Sequence, residues 1–118
     1  MYGIPEEIDW SFAVGRELLM VCVGQHQVVL RCHGEVTITI EGGFEHVSSK
    51  VGAKGEGELP QRAASLVSLI GTTVQAIRAE DARTLWIGFS NGEELRIYDS
   101  NSNYEAFQIT APGVDIIV

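Results

Sequence analysis

Apolar and polar residues alternate with a period of two over much of this chain. The clearest run is Glu35-Val36-Thr37-Ile38-Thr39-Ile40-Glu41, where Val36, Ile38 and Ile40 fall on one side of an extended backbone and the polar residues on the other. Shorter runs of the same kind predict strands at residues 28–31, around Leu85, Ile87 and Phe89, around Leu95 and Ile97, and at residues 116–118. Residues 18–23 are apolar at every position, so as a strand this segment needs cover on both faces.

One segment has a helical period instead. Ala63, Leu66, Val67 and Ile70 fall at i, i+3, i+4 and i+7, which predicts a helix over about 60–70 with one buried face. Pro60 suits its first turn and Gly71 its end. Ahead of it, residues 51–57 hold three glycines and are expected to form a loop.

The two halves of the chain match each other. Gly15-Arg16-Glu17-Leu18 corresponds to Gly71-Thr72-Thr73-Val74, His33-Gly34-Glu35-Val36 to Asn91-Gly92-Glu93, and Phe44-Glu45-His46-Val47 to Tyr104-Glu105-Ala106-Phe107. The offsets are 56, 58 and 60, a drift that small loop insertions produce. Pseudo-repeats over about 15–50 and 71–110 follow.

Register is then constrained. Three-residue hairpin loops at Cys32-His33-Gly34 and Ser90-Asn91-Gly92 place Leu30 opposite Val36, Ile87 opposite Leu95 and Leu85 opposite Ile97, with Trp86 and Arg96 paired on the other face. A two-residue loop at Asn91-Gly92 would put Ile87 opposite Arg96 and turn one apolar set into water. In the first hairpin Val21 and Val23 share a face with Val28 and Leu30, leaving Leu18, Met20, Cys22 and Val29 on the opposite side. That apolar side must be covered by the helix, the second sheet or another copy of the chain. The expected fold is therefore α+β within a single domain over 1–118. It is mainly antiparallel, two pseudo-repeated β-meanders joined by a loop and one short helix, as a sandwich or partial barrel.

Charge narrows the function. Of 118 residues, 16 are Asp or Glu and 8 are Lys or Arg, for a formal charge of -8, with the excess shared by both halves. Phosphate neutralisation needs clustered cations, so no nucleic acid is expected as partner. Glu6, Glu7 and Asp9 stand where a secretory leader would be basic, which predicts a cytoplasmic protein. The longest apolar run falls far short of the about 20 residues of a membrane helix, so no membrane association is expected. Cys22 and Cys32 fall on different sheet faces, which makes them free thiols rather than a disulfide.

Candidate chemistry is sparse. Asp99-Ser100-Asn101-Ser102-Asn103 opens like a calcium loop, but Tyr104 stands where glycine is required and Thr110 where a bidentate Glu is required. Cys22, His26, Cys32, His33 and His46 show no metal-binding spacing, and no nucleophile, base and orienter string exists, so neither metal, cofactor nor catalytic residue is expected. Trp86, Arg96 and Tyr98 lie on the non-core side of the second hairpin, either as interface anchors or beneath the helix. Trp10 is expected to plug one end of the core and, with Tyr104, to line any pocket between the halves.

Several strings together resemble a family of small bacterial proteins of unknown function. They are Trp10-x-x-x-x-Gly15-Arg16, Ile40-Glu41-Gly42, Leu69-Ile70-Gly71-x-x-Val74, Phe89-Ser90-Asn91-Gly92 and Tyr104-Glu105-Ala106-Phe107. In that family they read roughly W-x-L-x-G-R, I-E-G, L-L-G-x-x-V, F-x-D-G and Y-E-A-W. The resemblance implies a bacterial, β-rich domain and carries no activity. Many members continue after the last strand with Pro-Gly-Gly and a terminal Trp, whereas here residues 116–118 are expected to form an edge strand open to pairing. The function expected is a protein-interaction module, neutralising a basic partner such as a toxin domain, or pairing with a second copy of itself. The alternative is a small-molecule binder using the space between the repeats.

Overall fold

The computed structural model describes residues 4, 5, 7–48, 52–54, 63–99 and 106–118. In chain order these form a 3₁₀ segment η1 (Trp10–Ala13), then β1 (Leu18–Val23), β2 (Val28–Cys32), β3 (Val36–Ile40), β4 (Gly43–Ser48) and β5 (Gly52–Lys54). A second 3₁₀ segment η2 (Ala64–Leu69) leads to β6 (Val74–Asp81), β7 (Thr84–Phe89), β8 (Glu94–Tyr98), β9 (Phe107–Ala111) and β10 (Val114–Ile117). The strands make two antiparallel five-stranded sheets, ordered β1-β2-β3-β9-β10 and β5-β4-β8-β7-β6, and no closed barrel. Three consecutive strands of each half build one sheet, and the next two strands cross to complete the other. Gly42 sits at the first crossing, where an added Cβ would lie 3.4 Å from both the Tyr98 carbonyl and Ala106 Cα.

The sheets are joined by backbone. Leu18 N–H donates to the Thr72 carbonyl at 2.8 Å and Val74 N–H to the Arg16 carbonyl at 2.9 Å, with Glu17 facing Thr73 between them. Gly15 N–H donates to Val74 at 2.7 Å and Gly71 N–H to Leu18 at 2.8 Å. Both glycines have left-handed backbones, φ +84° and +93°, which a Cβ would strain. Each ends the turn of the 3₁₀ segment before it. The buried side chains of the two sheets belong to a single apolar cluster.

Register follows the alternation closely. Ile87 pairs with Leu95, Leu85 with Ile97 and Trp86 with Arg96, and Phe89 N–H bonds the Glu93 carbonyl at 2.9 Å to close the Ser90-Asn91-Gly92 loop. In the first half the loop is His33-Gly34-Glu35, one residue later than expected, so Leu30 faces Ile38 and Val36 faces Cys32. Glu35 at φ +63° shares the left-handed turn with Gly34. Moving the loop by one residue shifts each partner by two, so the buried faces are unchanged.

β1 departs further. A register shift between Leu18 and Met20 sets Leu18 opposite Cys32 and fully buried, not on the outer side with Met20, Cys22 and Val29 as the alternation alone predicts. The extra residue of a bulge reverses facing along the strand. Leu19 and Met20 are each 51% exposed, and Cys22 and Val29 are half-buried. Cys22 and Cys32 are free thiols on opposite faces.

Within the helix expected over about 60–70, the span Ala64–Leu69 is 3₁₀. The buried residues are Ala63, at the N-cap of η2, and Leu66 and Leu69 within it, spaced by three, while Val67 and Ile70 are 53% and 44% exposed. Three residues per turn stack i on i+3 and carry the i+4 and i+7 positions out of the core. Hydroxyls favour this tight geometry by taking carbonyls locally, Ser68 Oγ donating to Ser65 at 2.8 Å and Thr72 Oγ1 to Leu69 at 2.7 Å. Gly52–Lys54 pairs with β4 as a strand instead of looping, and residues 55–62 and 100–105 lie outside the described set. β10 is an edge strand whose following residue, Val118, is buried and hydrogen-bonded to Phe107.

Three outcomes test this packing. Leu66→Ala is expected to lower unfolding free energy by about 2–5 kcal/mol and Val67→Ser by no more than about 0.5, measured by urea titration; comparable losses would restore the α-helical face. Burial pushes the Cys32 thiol up to about 11. A pKa raised by folding stabilises below the unfolded value and is lost above it, so stability falls as pH rises from about 9 toward 11. At about pH 8 a thiol reagent is expected to titrate Cys22 alone in the native protein and both cysteines in denaturant.

Candidate functional site

Strand alternation sends one set of side chains from the second sheet away from the core. Across β6, β7, β8 and β4, Arg78, Trp86, Arg96 and Glu45 stand directly opposite one another in a row. The Trp86 indole lies over Gly88, where an added Cβ would come 2.6 Å from Trp86 Cη2. The Arg78 guanidinium covers the ring, with Cζ 3.9 Å from its centroid, and the indole N–H donates to Glu94 at 2.6 Å. Trp86 is thus held from three sides while remaining half-buried.

Arg96 and Tyr98 complete this face. Arg96 Nε donates to Glu80 at 2.8 Å and its Nη2 lies 3.7 Å from Glu94. The bond to Glu80 holds the guanidinium pKa up. Burial pushes the Tyr98 phenol up, aided by the charge of Glu45 beside it. Exposed pairs of this kind contribute about 0–1 kcal/mol each, so their main effect is to fix orientation. Trp86, Arg96 and Tyr98 thus lie on one face of the second sheet, with Trp86 and Arg96 joined through Glu94.

Trp10 is 9% exposed within the core cluster, its ring 6.4 Å from that of Phe12, and Tyr104 lies outside the described residues. Arg16, from the Gly-Arg string, has a local task. Its Nε donates to the Phe12 carbonyl at 3.1 Å, and its guanidinium covers Gly34, where a Cβ would meet Nη1 at 2.4 Å. Asp9 caps η1 by accepting from Ser11 N–H at 3.0 Å, which lowers its carboxyl pKa.

A second constellation escaped sequence reasoning. His46, in β4, is 1% exposed; its Nδ1 lies 2.8 Å from Ser65 Oγ in η2 and its Nε2 2.5 Å from Glu93 Oε1 at the start of the second hairpin's return. Glu93 is oriented further by Asn91, whose amide donates to Oε2 at 2.8 Å. The three residues lie 19 and 47 positions apart along the chain, so no string joins them. The available signal is parity, since His46 shares the core-facing side of its strand with Phe44. Among the described residues no three His, Cys, Asp or Glu side chains form a metal-holding group, and no helix is long and apolar enough to cross a membrane.

A family profile matches residues 10–118, nearly the whole chain. The protein belongs to a family of unknown function, DUF6188. No curated protein and no solved structure matches it. DUF6188 membership thus supplies no established activity, and the chemistry must be read from the two constellations themselves.

The Trp86 stack yields a direct test. Gly88→Ala is expected to force the indole off the sheet and cost about 1–3 kcal/mol, as overpacking does, with altered tryptophan near-ultraviolet circular dichroism. Unchanged stability and spectrum would show that Gly88 is not what seats Trp86.

Proposed function

We propose that this domain is a protein-interaction module whose docking face is the outer side of β6, β7, β8 and β4. The observation that carries this reading is the fixed Trp86, held between Gly88 and Arg78 with Arg96 and Tyr98 alongside. Tryptophan, tyrosine and arginine dominate binding hot spots, and a side chain ordered before binding has less entropy to lose on docking. The partner is basic. A formal charge of -8 on 118 residues steers a cationic surface toward the domain at long range. Free Cys22 and Cys32 suit a reducing compartment such as the cytoplasm.

The scaffold of this module is, in our reading, two pseudo-repeated meanders packed sheet on sheet. Advancing every strand number of the first sheet by five, and wrapping after ten, reproduces the order of the second. The bonds at Gly15 and Leu18 have counterparts at Gly71 and Val74. Ile40 faces Phe107 as Ile97 faces Phe44, which matches Phe44 with Phe107 rather than with Tyr104.

The docking face is tested by crosslinking and mass spectrometry to find the partner, then by binding kinetics. Trp86→Ala is expected to weaken binding by about 30-fold or more, Arg96→Ala and Tyr98→Ala by smaller factors, and Thr37→Ala on the other sheet not at all. The association rate should fall as salt rises. Binding untouched by Trp86→Ala would remove this face from the reading, and a salt-insensitive association rate would remove the basic partner.

A further inference from the structure

We propose that Ser65 is an activated nucleophile, with His46 as its general base and Glu93 as the positioning carboxylate, in a site suited to acyl transfer from esters. The carboxylate can only accept, so His46 Nε2 carries the proton directed at Glu93 across 2.5 Å. In the neutral ring Nδ1 is then the acceptor, and it lies 2.8 Å from Ser65 Oγ. The Glu93 contact thereby selects the tautomer able to take the serine proton. The ring is used in the reverse sense of the Ser-His-Asp arrangement, in which the serine meets Nε2, but the division of roles is the same.

His46 is 1% exposed, the Glu93 side chain 13%, and Ser65 is half-buried, so the base is shielded from water while the nucleophile is partly accessible. Packing alone does not call for these polar groups. His46 faces Leu95 of β8, and the place facing the matching Ile38 of β3 is held by Ile109; Glu93 faces Phe89, and the place facing the matching Cys32 is held by Val36. Ile109 and Val36 are buried apolar side chains in the same fold. Setting an imidazole and a carboxylate there instead costs desolvation that an apolar pair avoids.

In the acylation step Ser65 Oγ attacks the ester carbonyl carbon while its proton passes to His46 Nδ1. The carbon–oxygen bond to the leaving alcohol breaks, and that oxygen takes the proton from His46. Water then attacks the Ser65 ester through the same base and releases the acid, which restores the serine.

The test uses diisopropyl fluorophosphate on the full chain, with the adduct located by mass spectrometry. A phosphorus–oxygen bond forms at Ser65, fluoride leaves, and His46 takes the proton. Ser68, exposed in the same 3₁₀ segment, is the internal control. Ser65 is expected to label at least about 100-fold faster than Ser68, the range of general-base assistance. Glu93→Gln should lower the rate about tenfold or more and Glu93→Asp should restore part of it, which a purely structural role would not require. The double variant His46→Ile with Glu93→Val copies the other sheet; it is expected to stay folded by circular dichroism and to label no faster than Ser68. Labelling of Ser65 at the Ser68 rate in the folded wild type would overturn the proposal and leave the cluster as a structural clamp. Equal labelling of Glu93→Gln and wild type would overturn the role of the carboxylate.

Discussion

The reciprocal backbone bonding between residues 15–18 and 71–74 is the constraint on which the rest of the structure depends. Leu18 and Val74 are buried at 0% and 1%, and a buried amide without a partner costs as much as a lost hydrogen bond. Each amide finds its acceptor only in the opposite half of the chain. The same bonds seat the two left-handed glycines, which deliver η1 and η2 with Ala13 and Leu69 against the core. Since β4 and β5 finish the second sheet and β9 and β10 the first, neither half can complete its own sheet. A stretch of about 55–60 residues has little core alone, and the exchanged strands bring buried residues of both halves into one apolar cluster.

What the sequence made legible was parity. β3, β7 and β8 alternate cleanly, so their buried faces, the Trp86–Arg96 pairing and the three-residue turn at 90–92 are legible in the sequence alone. Two of the departures share a cause, a local change of period. The bulge after Leu18 adds a residue that reverses facing, and no residue type there announces it. The 3₁₀ segment replaces a 3.6-residue period by three, and Ala63, Leu66, Val67 and Ile70 fit the α template as well as Ala63, Leu66 and Leu69 fit the tighter one. Gly52–Lys54 carries poor strand formers and is extended because it pairs with β4.

The two constellations differ in legibility for the same reason. Trp86, Arg96 and Tyr98 sit on neighbouring strands of one hairpin, where local register decides which face they share. His46, Ser65 and Glu93 come from β4, η2 and the hairpin turn, and they meet because strands cross between the sheets. Their energetics differ as well. Arg96 and Glu80 remain 30% and 28% exposed, where solvent screens the pair. His46 and Glu93 are 1% and 13% exposed, where an unmatched partner is costly and the geometry is correspondingly fixed.

Both constellations draw on the same two strands. Along 44–47 and 93–97, alternate side chains go to opposite sides: His46 and Glu93 meet inward, while Glu45, Glu94 and Arg96 point outward around Trp86. A slip of β8 by one residue would carry Glu94 to His46 and strand the Trp86 indole beside Glu93 and Leu95. The Ser90-Asn91-Gly92 loop prevents this, with Gly92 at φ +88° and Asn91 bonded to both the backbone and the carboxylate of Glu93. One turn thus sets the register of the surface face and of the buried cluster together, so neither can be rearranged without the other.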